Sequence, residues 1–93
     1  MVEMFDYLTL FAEFLGTFLF TLSILVTGNP LVIGATLAFV IWLLSKVSGG
    51  HVNPAVSLAF FLKGSLSNAE FAGYTASQLL GAASSFYVFK ALM

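Results

Sequence analysis

The sequence predicts an all-α membrane protein with three transmembrane helices and one re-entrant half-helix. Composition is the first observation: 60% of the 93 residues are hydrophobic, only 8% are charged, and mean hydropathy is +1.06. A soluble domain carries about 25% charged residues. The second is three apolar stretches of near-bilayer length, separated by turn-forming residues. The third is a fourth apolar run, Pro54–Leu62, that is too short for this company. As a helix it is about 14 Å long, where a span needs roughly 20 residues and 30 Å. A chain this small cannot hide so much apolar surface in its own core. The bilayer, or other copies of the chain, must cover the remainder.

The same composition excludes several function classes. There is no cysteine, so no disulfide scaffold and no thiolate metal site. The net charge of -1 offers nothing to nucleic acid. One histidine without cysteines is poor support for a metal centre, and no cofactor is expected. The start, MVEMFDYL, is acidic and lacks the basic opening of a secretory signal; it reads as part of the mature protein.

The first span is expected at about residues 7–26. Its polar residues Thr9, Glu13, Thr17 and Thr21 recur every four positions and so form one stripe on a helix. That stripe should face protein or water. Leu15, Leu19, Leu22 and Ile24 lie mostly on other faces and should meet lipid.

Thr27-Gly28-Asn29-Pro30 signals a turn, and a second span follows at about 31–47. Gly34 and Ala38 make a small ridge that lets another helix approach closely. Trp42 suits either an interfacial anchor or a bundle residue. Lys46 can snorkel to the headgroups.

Ser48–Val52 holds two glycines and precedes Asn53-Pro54, which argues against helix. Pro54 suits a first helical position and Asn53 an N-cap. The half-helix then runs to about Lys63, with Gly64 as its stop, so the re-entrant segment covers about 48–63. Ser67 and Glu70 fit a capping box that opens a third span at about 68–90. Ala69, Gly73, Ser77, Gly81 and Ser85 form a small-residue ridge along it, with Tyr74 and Gln78 beside the ridge.

Three spans put the termini on opposite sides of the membrane. Lys46 and Lys63 then share the side of the N-terminus, and Lys90 lies on the other. With so little positive-inside bias, insertion in both orientations is permitted.

Three stretches together resemble the first repeat of the aquaporin and glycerol-facilitator family of membrane channels. They are AEFLGT at residues 12–17, SGGHVNPAV at 48–56 and YTASQLLGA at 74–82, in the family's order and at compatible spacing. The resemblance covers nearly the whole chain. Family members carry two such repeats, related by a two-fold axis in the membrane plane, and repeat-built transporters place the pathway at the repeat interface. One repeat is present here. The expected completion is an antiparallel homodimer, with four pores per assembly as the family forms.

The resemblance implies a role for each site residue. Asn53, Pro54 and Ala55 form the pore motif. Gly49, Gly50, His51 and Val52 present carbonyls along the channel, the glycines supplying unusual backbone angles. The Asn53 oxygen caps the half-helix while its NH₂ faces the pore. The helix N-terminus adds partial positive charge against cations and protons. Glu13 and Gln78 brace the loop, although a carboxylate inside a span also suits a proton carrier. Phe20, Ile33, Leu37 and Ile41 are wall positions. Val56 stands where the family's second repeat usually carries a filter arginine, which favours a wider, less polar constriction.

The expected function is a non-enzymatic, passive channel subunit for water or small uncharged solutes such as glycerol, integral to a membrane. Two other readings remain at this point. The chain could be a modulatory half-subunit, or a fragment, that needs a different partner. It could be a dual-topology proton-coupled exporter, although such exporters have four spans and no Asn-Pro half-helix.

Overall fold

A computed structural model describes the backbone from Val2 to Met93 and the side chains of residues 7–93. It is all-helical. The elements are α1 (Val2–Thr27), α2 (Pro30–Leu44), α3 (Pro54–Lys63) and α4 (Asn68–Leu92). At 1.5 Å per residue, α1 and α4 are each about 37–39 Å long and α3 about 15 Å. Helix α1 is central and packs on both α2 and α4, whereas α3 leans on α4.

Local chemistry sets the helix ends. Both α2 and α3 open with Asn-Pro. Asn29 Oδ1 accepts from Leu31 N (2.9 Å) and Val32 N (3.2 Å), and Asn53 Oδ1 accepts from Ala55 N (2.9 Å). Proline at N1 has no N–H to leave unpaired. Gly64 ends α3 at φ 97°, a left-handed angle that disfavours any side chain. Ser67 and Glu70 form both bonds of a capping box at the start of α4.

Two helices differ from the expected spans. Helix α1 begins at Val2, because a helix can outrun the apolar segment it carries. Helix α2 stops at Leu44 rather than Val47. The carbonyl of Leu44 there accepts from Val47, Ser48 and Gly49 together (2.9–3.1 Å), which closes a turn and sends the chain inward.

Only the 21-residue stretch Tyr7–Thr27 is long and apolar enough among the described helices to cross a membrane, with mean hydropathy 1.9 over its most apolar 18 residues. Helix α2 is too short alone. The small polar residues of α4 lower its hydropathy, yet they serve packing rather than solvation. Ser77, Gly81 and Ser85 are buried. A Cβ at Gly73 would lie 2.8 Å from Leu10 Cδ2, and one at Gly81 would strike the carbonyl of Phe14. Thr21 Oγ1 and Ser85 Oγ share a 2.8 Å hydrogen bond across the same interface.

The ridge of Gly34 and Ala38 packs against nothing among the described residues. Gly34 has nothing within 4 Å of a built Cβ, and Ala38 is exposed. Trp42 is also exposed, beside Phe39. Leu19 is not an outward leucine: it packs against the buried cluster of Ala12, Val40, Leu44 and Val52. That cluster closes around Gly16, where no side chain intervenes.

Candidate pore-lining loop

The polar stripe of α1 is turned inward. Thr9, Glu13 and Thr17 are all buried, and Glu13 is fully enclosed. A carboxylate has room for about four hydrogen bonds. Glu13 has four donors: Oε1 accepts from Val52 N (2.7 Å) and Gln78 Nε2 (2.8 Å), and Oε2 from Ser48 Oγ (2.6 Å) and His51 N (3.0 Å). Two backbone amides, one hydroxyl and one carboxamide thus replace the water that burial removes. No cation is needed, because charge-assisted hydrogen bonds are stronger than neutral ones.

The loop is folded around this carboxylate. Gly49 (φ 90°), Gly50 (φ 65°) and Val52 (φ 45°) hold left-handed angles. Such angles are costly for a β-branched residue and persist only where the surroundings fix them. Here the Val52 amide is held by Glu13, and its side chain fills the cluster at Gly16. Four consecutive amides are tied down on the protein side. Gly49 N donates to Leu44 O, Gly50 N to Ser48 Oγ, and His51 N and Val52 N to Glu13. The carbonyls of Gly49, Gly50, His51 and Val52 accept from no described group. The loop's four amides are thus engaged within the protein and its four carbonyls are not, with one buried carboxylate taking two of the amides and the Leu44 carbonyl and Ser48 hydroxyl the others.

Three further residues complete the site. Tyr74 Oη donates to Ser48 O at 2.7 Å. Ser57, on α3, lies 2.9 Å from Gln78 Nε2 and 2.8 Å from His51 Nδ1. The His51 ring stacks on Phe60 (4.5 Å between centroids) and tilts against Tyr74 (4.8 Å). Sequence reasoning missed Ser48 and Ser57 as site residues. For Ser57 a signal existed: it carries the only hydroxyl in PAVSLAFFLK. Tyr74 was visible only as a neighbour of the α4 ridge.

The remaining candidates are more dispersed. Asn53 is exposed at the tip of α3, and its NH₂ donates to no described group. Pro54 is half-buried, and Ala55 and Val56 are exposed on the same turn. Phe20 and Leu37 pack against the cluster around Gly16, and Ile33 is half-buried on α2. Ile41 supports the loop through its backbone: a Cβ on Gly50 would come within 2.9 Å of its Cα. A separate open groove of about 730 Å³ runs between α1 and α2, lined in part by Leu19, Leu22, Val26, Val32 and Phe39. None of the expected wall residues lines it.

The chain matches the family described as "Major intrinsic protein" over residues 2–93. It is 43% identical to the lens fiber major intrinsic protein of Gallus gallus, over 76% of this chain and 32% of that protein. It is 38% identical to an aquaglyceroporin of Rhizobium meliloti (64% of this chain, 26% of that one). Against a glycerol uptake facilitator-like protein of Lactiplantibacillus plantarum identity is 34% (76% and 37%). The chain therefore spans about a third of the length of these relatives. The match over residues 2–93 takes in all four helices and the loop between α2 and α3: the chain belongs to the major intrinsic protein family, whose members are integral membrane channels and not enzymes.

Proposed function

We propose that this chain supplies one half of a passive pore for water and small uncharged solutes, and that a second copy inserted in the opposite orientation supplies the other half. The observation that carries the reading is the sorting of the loop backbone. Carbonyls at residues 49–52 accept from no described group, while every amide there is engaged. Unsatisfied carbonyls at membrane depth are tolerated where they line a wet path. They accept hydrogen bonds from a passing water or polyol without holding charge. Asn53 adds a donor at the half-helix tip, and the helix end adds partial positive charge.

The antiparallel copy is supported by α3 itself. Only Ser57 of this apolar helix is buried, so the helix is uncovered on most faces. Its length of about 15 Å reaches half of a 30 Å hydrocarbon core. The fully bonded Glu13 favours a fixed brace over a proton carrier, since both of its oxygens are occupied by donors that would have to be released.

Swelling of proteoliposomes in water and glycerol gradients tests the channel. Permeability should exceed that of empty liposomes and be insensitive to a pH gradient. Permeability equal to empty liposomes overturns the reading. Cross-linking of single-cysteine variants at the α3 tip tests the geometry. Identical chains should join in opposite orientations; joining only in parallel, or only with a different chain added, overturns the homodimer.

A further inference from the structure

The side chains beneath the loop form a chain of hydrogen bonds whose direction is fixed at one end. Backbone amides can only donate, and two of them, from His51 and Val52, point at Glu13. Ser48 Oγ accepts from Gly50 N and so has its proton free for Glu13 as well. The carboxylate therefore accepts at every described contact. Gln78 lies 2.8 Å from Glu13 Oε1 and must present its NH₂ there. The same NH₂ lies 2.9 Å from Ser57 Oγ, which accepts. Ser57 then has one proton to give, and its other described partner is His51 Nδ1 at 2.8 Å. A ring nitrogen that accepts carries no proton.

We propose that Ser57 is a positioning residue that holds His51 neutral, with its proton on Nε2. Serine joins the loop to the first turns of α3 through this bond. Stacking on Phe60 and contact with Tyr74 fix the ring plane so that Nδ1 meets the hydroxyl. The reverse order has a definite cost. If Nδ1 carried a proton, the Ser57 hydroxyl would need another acceptor, and Gln78 could provide one only by turning its carbonyl toward Ser57. That turn sets the same carbonyl against the Glu13 carboxylate. The order adopted leaves Gln78 Oε1 buried without a described partner, which is the lesser penalty. The assignment stands on the hydrogen bonds alone. Its significance, loop carbonyls held in register with the half-helix, rests on the pore reading.

The test is solid-state NMR of the full chain, with ¹⁵N-labelled histidine, in proteoliposomes at mildly alkaline pH. His51 is the sole histidine, so assignment is direct. In the wild type Nδ1 should be the pyridine-type nitrogen and Nε2 the pyrrole type. Ser57→Ala should shift the tautomer ratio toward Nδ1–H by roughly tenfold, the worth of one neutral hydrogen bond, and Ser57→Thr should restore the wild-type spectrum. A protonated Nδ1 in the wild type overturns the proposal, even if Ser57→Ala does not fold. So does an Ala variant with the wild-type ratio. Swelling measured on the same vesicles reports on the pore separately: a wild type with the stated tautomer and no permeability would sink the channel and leave the assignment standing.

Discussion

Val52 Cγ1 occupies the space that a side chain on Gly16 would need. A Cβ at residue 16 would lie 2.6 Å from it, 2.7 Å from Leu44 Cδ1 and 2.9 Å from Val40 Cγ1. All three neighbours are buried, so none can swing away. Gly16→Ala should therefore destabilise the fold by about 1–3 kcal/mol, the usual range for overpacking. Thermal unfolding in detergent micelles measures it. A midpoint unchanged from the wild type would mean that Val52 does not seat against α1.

Glu13→Gln keeps the shape of the side chain and removes its charge. One carboxylate oxygen becomes an NH₂, which must then face a donor: Val52 N and Gln78 Nε2 on one side, or Ser48 Oγ and His51 N on the other. Hydrogen bonds to charged groups are worth about 1.5–3 kcal/mol each, and a buried donor facing a donor adds a penalty. We expect a loss of about 3 kcal/mol or more in denaturant unfolding, together with faster hydrogen exchange at the amides of His51 and Val52. Exchange as slow as in the wild type would show that the carboxylate does not hold the loop.

Asn53 separates stability from permeation. Asn53→Ala loses the cap on Ala55 N, at a cost of about 1 kcal/mol. Asn53→Asp keeps a capping oxygen and favours the helix N-terminus electrostatically, so its stability should match or exceed the wild type. It also replaces a donor at the exposed tip with a negative charge. Swelling rates or solute selectivity should change in Asn53→Asp at unchanged stability. Identical permeability in that variant would remove Asn53 from the solute path.

The two glycine ridges should respond in opposite ways. Gly81→Val drives a side chain into the backbone of α1 at Phe14, with Phe18 N and Thr17 Cβ at 3.1–3.2 Å from the first added carbon. It should separate α1 from α4 and prevent stable folding. Gly34→Ala meets nothing within 4 Å and replaces a helix-interior glycine. In micelles that hold single chains it should be neutral or gain up to about 1 kcal/mol. Destabilisation of the single chain by Gly34→Ala would contradict the open face seen for α2.

Local devices were legible because they act over three or four residues. The caps at Asn53 and Ser67, the stop at Gly64 and the common face of Thr9, Glu13 and Thr17 all follow from helix geometry and short-range hydrogen bonding. The end of α2 was not legible, because the Leu44 carbonyl is drawn into a turn that depends on where Gly49 must go. Ser57 was passed over because the lone hydroxyl in PAVSLAFFLK marks a polar position without saying which group from another element it meets.

The sequence by itself determined an all-helical chain of membrane composition with one half-length helix, and a polar stripe that had to be turned from lipid. Periodicity and hydropathy are properties of neighbours along the chain, so they survive without a structure. Only the tertiary structure decided what the stripe holds. The four donors on Glu13 come from positions 35 to 65 residues away. They meet because Gly16 and Gly81 let buried side chains and backbone close to distances that a Cβ would not allow. A buried charge is tolerated only when all its partners arrive together, and that is a property of packing in three dimensions.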